Sequence, residues 1–169
     1  MELNTERLRI IPLTPEQIEL LIMDIPKLER ELGFIYRGEA IEGHLLEITR
    51  DQYAAACLNR ENFLWHTFWQ FVLKDENAVV GSACFKGCPT AHGDVEIGYG
   101  TNELYQNRGY TTEAIAALCK WGLEQNGVKR IIAETEKDNI PSHRVLQKCN
   151  MKIYRETEEC YWWSLSISE

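Results

Sequence analysis

The sequence predicts an α/β (α+β) fold, a mixed central β-sheet of about six to seven strands flanked by helices, and three observations carry it. Residues 63–73, 78–86 and 94–101 are rich in β-branched and aromatic residues or alternate polar with apolar. The turn Lys74-Asp75-Glu76-Asn77 and the Gly87–Gly93 connection separate them, so three consecutive strands are expected. Past Gly109 the period turns helical, with Ile115, Leu118, Cys119 and Gly122 at i, i+3, i+4 and i+7 and Asn126-Gly127 as the stop. Residues 128–135 are strand-like again. Strand, helix and strand within about 40 residues make a right-handed crossover, so the strands around Glu96 and Ile132 are expected to run parallel.

The remaining elements follow from local chemistry. Residues 7–11 suit a short strand. Thr14-Pro15-Glu16-Gln17 combines a capping box with proline in the first helical turn. Ile18, Leu21, Ile22 and Ile25 give that helix an apolar stripe, which Pro26 is expected to end. Gly33, Gly38 and Gly43 break up residues 27–48, which favour no single element. A second capping box, Thr49-Arg50-Asp51-Gln52, predicts a helix reaching about Leu58. Late in the chain, residues 140–149 suit a short helix ended by Asn150, and residues 151–155 and 160–167 two last strands. The sheet is then antiparallel in its first half and parallel at one crossover.

The chain has 169 residues, 44% of them hydrophobic and 26% charged, which predicts one globular domain over residues 1–169 and argues against disorder and coiled coil. It carries 18 Lys and Arg against 26 Asp and Glu, a net charge of −8, with no basic run. Nucleic-acid binding by the bulk surface is therefore disfavoured, while a local basic pocket stays open. No stretch is apolar enough to span a membrane, and residues 1–9 lack a signal-peptide layout, so a cytoplasmic protein is expected. Six cysteines, Cys57, Cys84, Cys88, Cys119, Cys149 and Cys160, then read as reduced thiols. Cys84 and Cys88 have no second pair at zinc-finger spacing, so no metal is expected.

Chemistry concentrates where the strand ending at Thr101 hands over to the helix after Gly109. Gln106-Asn107-Arg108-Gly109-Tyr110-Thr111-Thr112 offers a glycine for a tight turn, a cation and two hydroxyls at a helix N-terminus. Unpaired N–H groups there favour a phosphate or diphosphate. The plainer reading is a turn at Gly109 beside a solvated Arg108. No G-x-x-x-x-G-K-[ST] and no G-x-G-x-x-G after a strand occurs, so the P-loop and dinucleotide motifs are absent.

Gln106-Asn107-Arg108-Gly109-Tyr110-Thr111 resembles the Q/R-x-x-G-x-G/A acetyl-CoA loop of the GNAT superfamily of N-acetyltransferases. Thr111 departs from the Gly or Ala of that motif. Leu3-Asn4-Thr5-Glu6-Arg7-Leu8, Glu96-Ile97-Gly98-Tyr99, Arg108 to Ala114, Asp138-Asn139-Ile140-Pro141-Ser142, Val145-Leu146 and Cys149-Asn150-Met151 are similar, in order, to its RimJ/RimL branch. The resemblance covers nearly the whole chain. It implies a GNAT-like acyl-CoA N-acyltransferase fold and acetyl-CoA as co-substrate. It further implies pantetheine pairing by the backbone of Ile97, Gly98 and Tyr99, and diphosphate binding by Asn107, Arg108, Gly109, Tyr110, Thr111 and Thr112. Asn139 matches an asparagine that contacts pantetheine or orients the site, and it also suits a plain helix N-cap.

An amine attacks a thioester only as the free base, and α-amino groups and lysines have pKa values of about 8 and about 10.4, so a proton acceptor is required. Glu96 and Glu103 are the carboxylates that the resemblance favours; a solvent-facing strand residue and a loop charge are their alternatives. By the same resemblance Ser142 would protonate the departing thiolate, its alternative being a first-turn hydroxyl. His143 reads as a surface residue. Cys119 and Cys149, on apolar helix faces, do not read as nucleophiles. Trp65, Trp69, Trp162 and Trp163 suit core packing or an acceptor pocket. Asp24, Glu29, Glu31, Glu39, Glu42 and Glu47 crowd the region that lines the acceptor site in the family, so a cationic acceptor is expected, with a solvated acidic face as the alternative. The expected activity is direct acetyl transfer from acetyl-CoA to a primary amine, either a protein N-terminus such as that of a ribosomal protein or a small amine. A non-catalytic acyl-CoA sensor on the same fold and a homodimer stay open. No nucleic-acid or membrane partner is expected.

Overall fold

The structure is a computed structural model, which describes residues 1–166. A mixed sheet of nine strands forms its centre, in the order β1-β2-β4-β5-β6-β7-β9-β8, with β3 pairing parallel to β5. The strands are β1 (Leu3–Asn4), β2 (Leu8–Pro12), β3 (Ile35–Tyr36), β4 (Phe68–Leu73), β5 (Ala78–Phe85), β6 (Asp94–Thr101), β7 (Arg130–Glu136), β8 (Lys152–Glu156) and β9 (Cys160–Ser166). The two beyond expectation, β1 and β3, are two residues each, too short to show a period in sequence. Ile167, the expected end of the last strand, lies outside the described residues.

Five helices flank the sheet: α1 (Pro15–Met23), α2 (Ile25–Leu32), α3 (Gly43–Leu58), α4 (Tyr110–Leu123) and α5 (Ile140–Lys148). The first capping box forms, with Thr14 and Gln17 exchanging side-chain and backbone bonds. Three expectations fail. Pro26 does not end a helix; it sits in the first turn of α2, where a missing N–H is harmless, and Asp24 caps that turn. Thr49 caps nothing, because α3 begins at Gly43 and the Thr49 hydroxyl donates back to the Leu45 carbonyl. Residues 63–65, expected to open β4, belong instead to a 3-10 turn over Arg60–Trp65, and the strand starts at Phe68.

Two apolar layers cover the sheet. On one face Trp65, Trp69, Phe85 and Trp121 pack with ring centroids 4.8–5.6 Å apart, joined by Val95, Ile97, Ile115, Leu118 and Trp163. On the other, Leu13, Ile18, Leu21 and Leu28 meet Phe68, Val72, Val79 and Cys84. Trp65, Trp69 and Trp163 are thus core residues, and Trp162 is half-buried. His143 is buried too, its Nε2 2.9 Å from the Glu136 carbonyl, because α5 turns it onto Tyr161 and Trp163.

β6 and β7 pair in parallel through three registers, Asp94 with Arg130, Val95 with Ile131 and Glu96 with Ile132. There the ladder stops, although β6 continues to Thr101 and β7 to Glu136. Bidentate bonds from Arg130 to Asp94, 2.8 and 2.6 Å, fasten the closed end.

Candidate active site

Beyond Glu96 the β7-facing edge of β6 is free of ladder bonds, and a cleft of about 380 Å³ opens beside it. Its walls include Tyr99, Gly100 and Thr101 of β6, Thr111 and Thr112 of α4, and Asn139 with Ser142 at the start of α5. Residues of β6 alternate between the two faces of the sheet. Val95 and Ile97 join the layer under α4, whereas Gly98 lies level with Cys84 of the opposite layer.

The loop into α4 supplies anion-binding groups. Asn107 and Gly109 both take positive φ, 61° and 82°, which turns the chain sharply before the helix. Gly109 is the N-cap and brings no side chain, so the first-turn N–H groups of α4 have no cap to occupy them. The Thr111 hydroxyl meets that of Thr101 at 2.6 Å, and the Gln106 amide donates to the Thr101 carbonyl at 3.0 Å. On α5, Pro141, Arg144, Val145 and Lys148 line the cleft. They stand at i, i+3, i+4 and i+7, one helix face, a spacing that the sequence itself contains. Arg144 and Lys148 supply the cleft's positive charge.

Asn139 caps α5, its Oδ1 accepting from the Ser142 N–H at 3.2 Å, and the Tyr99 hydroxyl donates to the Ser142 carbonyl at 3.3 Å. Burial pushes the Tyr99 phenol above its ordinary value, so it keeps its proton.

Of the expected site residues, Tyr99, Asn107, Gly109, Thr111, Thr112, Asn139 and Ser142 come together in the lining, while Glu96, Ile97, Gly98, Glu103, Arg108 and Tyr110 stand outside it. Glu96 is on the face opposite Ile97 and ion-pairs with Lys86, whose chain lies along Gly98. Glu103 is exposed in the 3-10 turn Glu103–Tyr105. Arg108 turns its guanidinium over the Tyr105 ring, and Tyr110 packs under Arg7.

A carboxylate does enter the cleft, that of Glu39. Its segment is pinned by the Tyr36 hydroxyl donating to the Glu39 carbonyl and by the Asn102 amide donating to the Gly38 carbonyl. The carboxylate lies against Gly100 so closely that a Cβ there would be 1.9 Å from Oε2. Among the described residues it makes no ion pair. The acidic crowding of residues 24–47 signalled such a group without singling it out.

The buried thiols are not nucleophiles: burial pushes Cys84 and Cys149 up to about 11 and Cys119 up to about 12. Among the described residues no cluster of three or more His, Cys, Asp or Glu side chains is placed to hold a metal ion.

Residues 7–152 match the family described as acetyltransferase (GNAT) domain. The chain belongs to the GNAT acetyltransferase family. A curated relative, YjdG, an uncharacterized N-acetyltransferase of Bacillus subtilis (strain 168), is 28% identical over 164 residues, covering 91% of this chain and 97% of its own. The fold is shared with ribosomal-protein-S5-alanine acetyltransferase from Vibrio fischeri, at TM-score 0.71 and 15% identity over 98% of this chain and 96% of that one. It is shared likewise with RimL, a ribosomal L7/L12 alpha-N-protein acetyltransferase, solved in complex with coenzyme A, at TM-score 0.70 and 14% identity over 99% and 98%. The GNAT chain is an acetyl-CoA-dependent N-acetyltransferase. An uncapped helix N-terminus, the two cations of α5 and an unpaired strand edge are chemically suited to a diphosphate on a long amide-bearing arm. No helix among the described residues is long and apolar enough to cross a membrane.

Proposed function

We propose that this GNAT acetyltransferase moves the acetyl group directly to a primary amine that reaches the cleft as a cation. The observation that carries this is the end of the β6–β7 ladder at Glu96 and Ile132, which leaves an unpaired strand edge leading to the uncapped N-terminus of α4. Backbone groups of Ile97, Gly98 and Tyr99 serve as pairing partners for the pantetheine arm, and those of Asn107 to Thr112 hold the diphosphate, with Arg144 and Lys148 adding charge.

Glu39, unpaired and pressed on Gly100, receives the acceptor's ammonium. Glu96, paired with Lys86 on the same strand face as Gly98 and Gly100, takes the amine proton through water. The freed lone pair attacks the thioester carbonyl, a C–N bond forms and the C–S bond breaks. Ser142 then gives its proton to the thiolate and takes back, through water, the second proton that leaves the new amide nitrogen, so the serine ends as it began. No covalent enzyme intermediate is needed. The ribosomal-protein acetyltransferases of the same fold favour a protein N-terminus as acceptor, with a small amine as the other candidate. We treat residues 1–169 as one domain acting in the cytoplasm, a setting that suits six free thiols.

The test is CoA release across a panel of free-N-terminal peptides and small amines, run beside acetyl-CoA binding by thermal shift. Turnover with one acceptor class supports the proposal. Binding without turnover across the panel identifies an acyl-CoA sensor, and absence of acetyl-CoA binding removes the assigned site.

A further inference from the structure

Arg7 reaches α4 from the bend just before β2, 106 residues away in sequence, and makes a dense set of contacts there. Its Nε donates to Glu113 Oε2 at 2.7 Å and its backbone N–H to Glu113 Oε1 at 2.8 Å. Its Nη1 donates to the Arg108 carbonyl at 2.9 Å, and its guanidinium covers the Tyr110 ring at 4.6 Å. The Thr5 hydroxyl completes the cluster, donating to Glu113 Oε1 at 2.6 Å.

Two of these contacts bear on the neighbouring anion site. Glu113 places a negative charge in the first turn of α4, beside the N–H groups assigned to a diphosphate. Left alone it would repel that ligand, and its side chain is only 17% exposed, so solvent screens it poorly. The Arg108 carbonyl is the second concern. In a trans peptide the C=O of one residue and the N–H of the next point in opposite directions, so holding the Arg108 oxygen on Arg7 turns the Gly109 N–H the other way. Gly109 itself lines the cleft.

We propose that Arg7 is a positioning residue for acetyl-CoA, chiefly by cancelling the Glu113 charge beside the diphosphate, its bond to the Arg108 carbonyl adding a smaller contribution of at most about threefold in affinity. The inference rests on the diphosphate lying at residues 107–112. It assigns the N-terminal Thr5-Glu6-Arg7 segment to the cofactor site, although that segment lines no part of the cleft.

A charge-cancelling role and a merely bracing role predict opposite outcomes in a double substitution. The experiment measures acetyl-CoA affinity by calorimetry at low and high salt, with thermal unfolding alongside, for the full chain and for R7M, E113Q and R7M/E113Q. R7M is expected to weaken acetyl-CoA about tenfold, an effect that shrinks with salt. The side-chain amide introduced by E113Q still accepts hydrogen bonds but carries no charge, so R7M/E113Q is expected to recover to within about threefold of the parent chain. If Arg7 only braces the fold, the double variant binds no better than R7M and melts lower, which overturns the proposal. R7K, which retains the charge but not the fork, is expected within about threefold of the parent, and where R7M does not fold the uncharged R7Q takes its place with the same tenfold loss expected. Parent binding with R7M and R7K both unchanged overturns this inference alone, whereas no parent binding overturns the assigned site as well.

Discussion

The hydroxyls of Thr101 and Thr111 meet at 2.6 Å, joining the last residue of β6 to the first turn of α4. That bond gives a reason for threonine at the one position where the loop departs from the general motif of its family. Its hydroxyl ties the turn proposed for the diphosphate to the strand. T111A is therefore expected to bind acetyl-CoA within about threefold of the parent and to lose about 1 kcal/mol of stability, since the buried Thr101 hydroxyl loses its partner. Urea unfolding and calorimetry check both values.

Gly109 combines a φ of 82° with a neighbour, Arg7 Nη2, that a Cβ would approach to 3.3 Å. G109A is expected to cost about 1–2 kcal/mol through the left-handed backbone and to weaken acetyl-CoA about tenfold as the loop shifts. A stable G109A with parent affinity would show that the turn is not read by the ligand.

Gly100 carries the free end of an exposed side chain, the Glu39 carboxylate, which a larger residue there would displace. A methyl group there would strike Glu39 Oε2. G100A is expected to raise KM for the amine about tenfold while leaving KM for acetyl-CoA within about twofold, matching E39Q. Steady-state kinetics with the acceptor found in the panel decides it, and a rise in the acetyl-CoA KM instead would place Glu39 at the cofactor.

Three substitutions separate the proton carriers. E96Q is expected to lower kcat about 100-fold, S142A about tenfold, and the exposed E103Q less than about threefold, all with acetyl-CoA binding retained. The reverse order for E96Q and E103Q would move the base to the 3-10 turn.

Acid stability follows from two carboxyl groups. Hydrogen bonds from Arg130 hold Asp94 below its ordinary value. Burial would raise Glu113, but the bonds from Thr5 and Arg7 outweigh it and leave it lowered. A lowered folded-state value means stability that is present above the ordinary carboxylate range and is lost as pH falls through the folded-state values. A guanidinium does not lose its proton in this range, so the loss comes from the carboxyl groups. D94N and E113Q are each expected to flatten the acid limb of a pH-dependent unfolding series; parallel curves would refute the assignment.

Legibility in the sequence tracked the range of the interactions. The Glu96–Ile132 pairing was readable because a strand, a 3.6-residue period and a second strand leave one handedness of crossover. Asn139 was readable as an N-cap because capping acts over three residues. The second capping box misled for the same reason: Thr49 and Gln52 have the local pattern, but residues 43–48 are already helical before them, and Gln52 commits its amide to the Phe85 carbonyl. His143 read as a surface residue because the strand that covers it, β9, follows later in the chain.

By itself the sequence determined the order of the longer elements outside residues 27–48, the parallel crossover and the glycine turn into a helix N-terminus, all set by backbone chemistry within a few residues or by spacing along the chain, and its motifs carried the family resemblance. Only the tertiary structure decided which charges meet at the cleft. Arg7 joins Glu113, Lys86 takes Glu96 and Glu39 comes to rest on Gly100, because side-chain electrostatics acts through space over a few ångströms while the chain separates those partners by up to 106 residues.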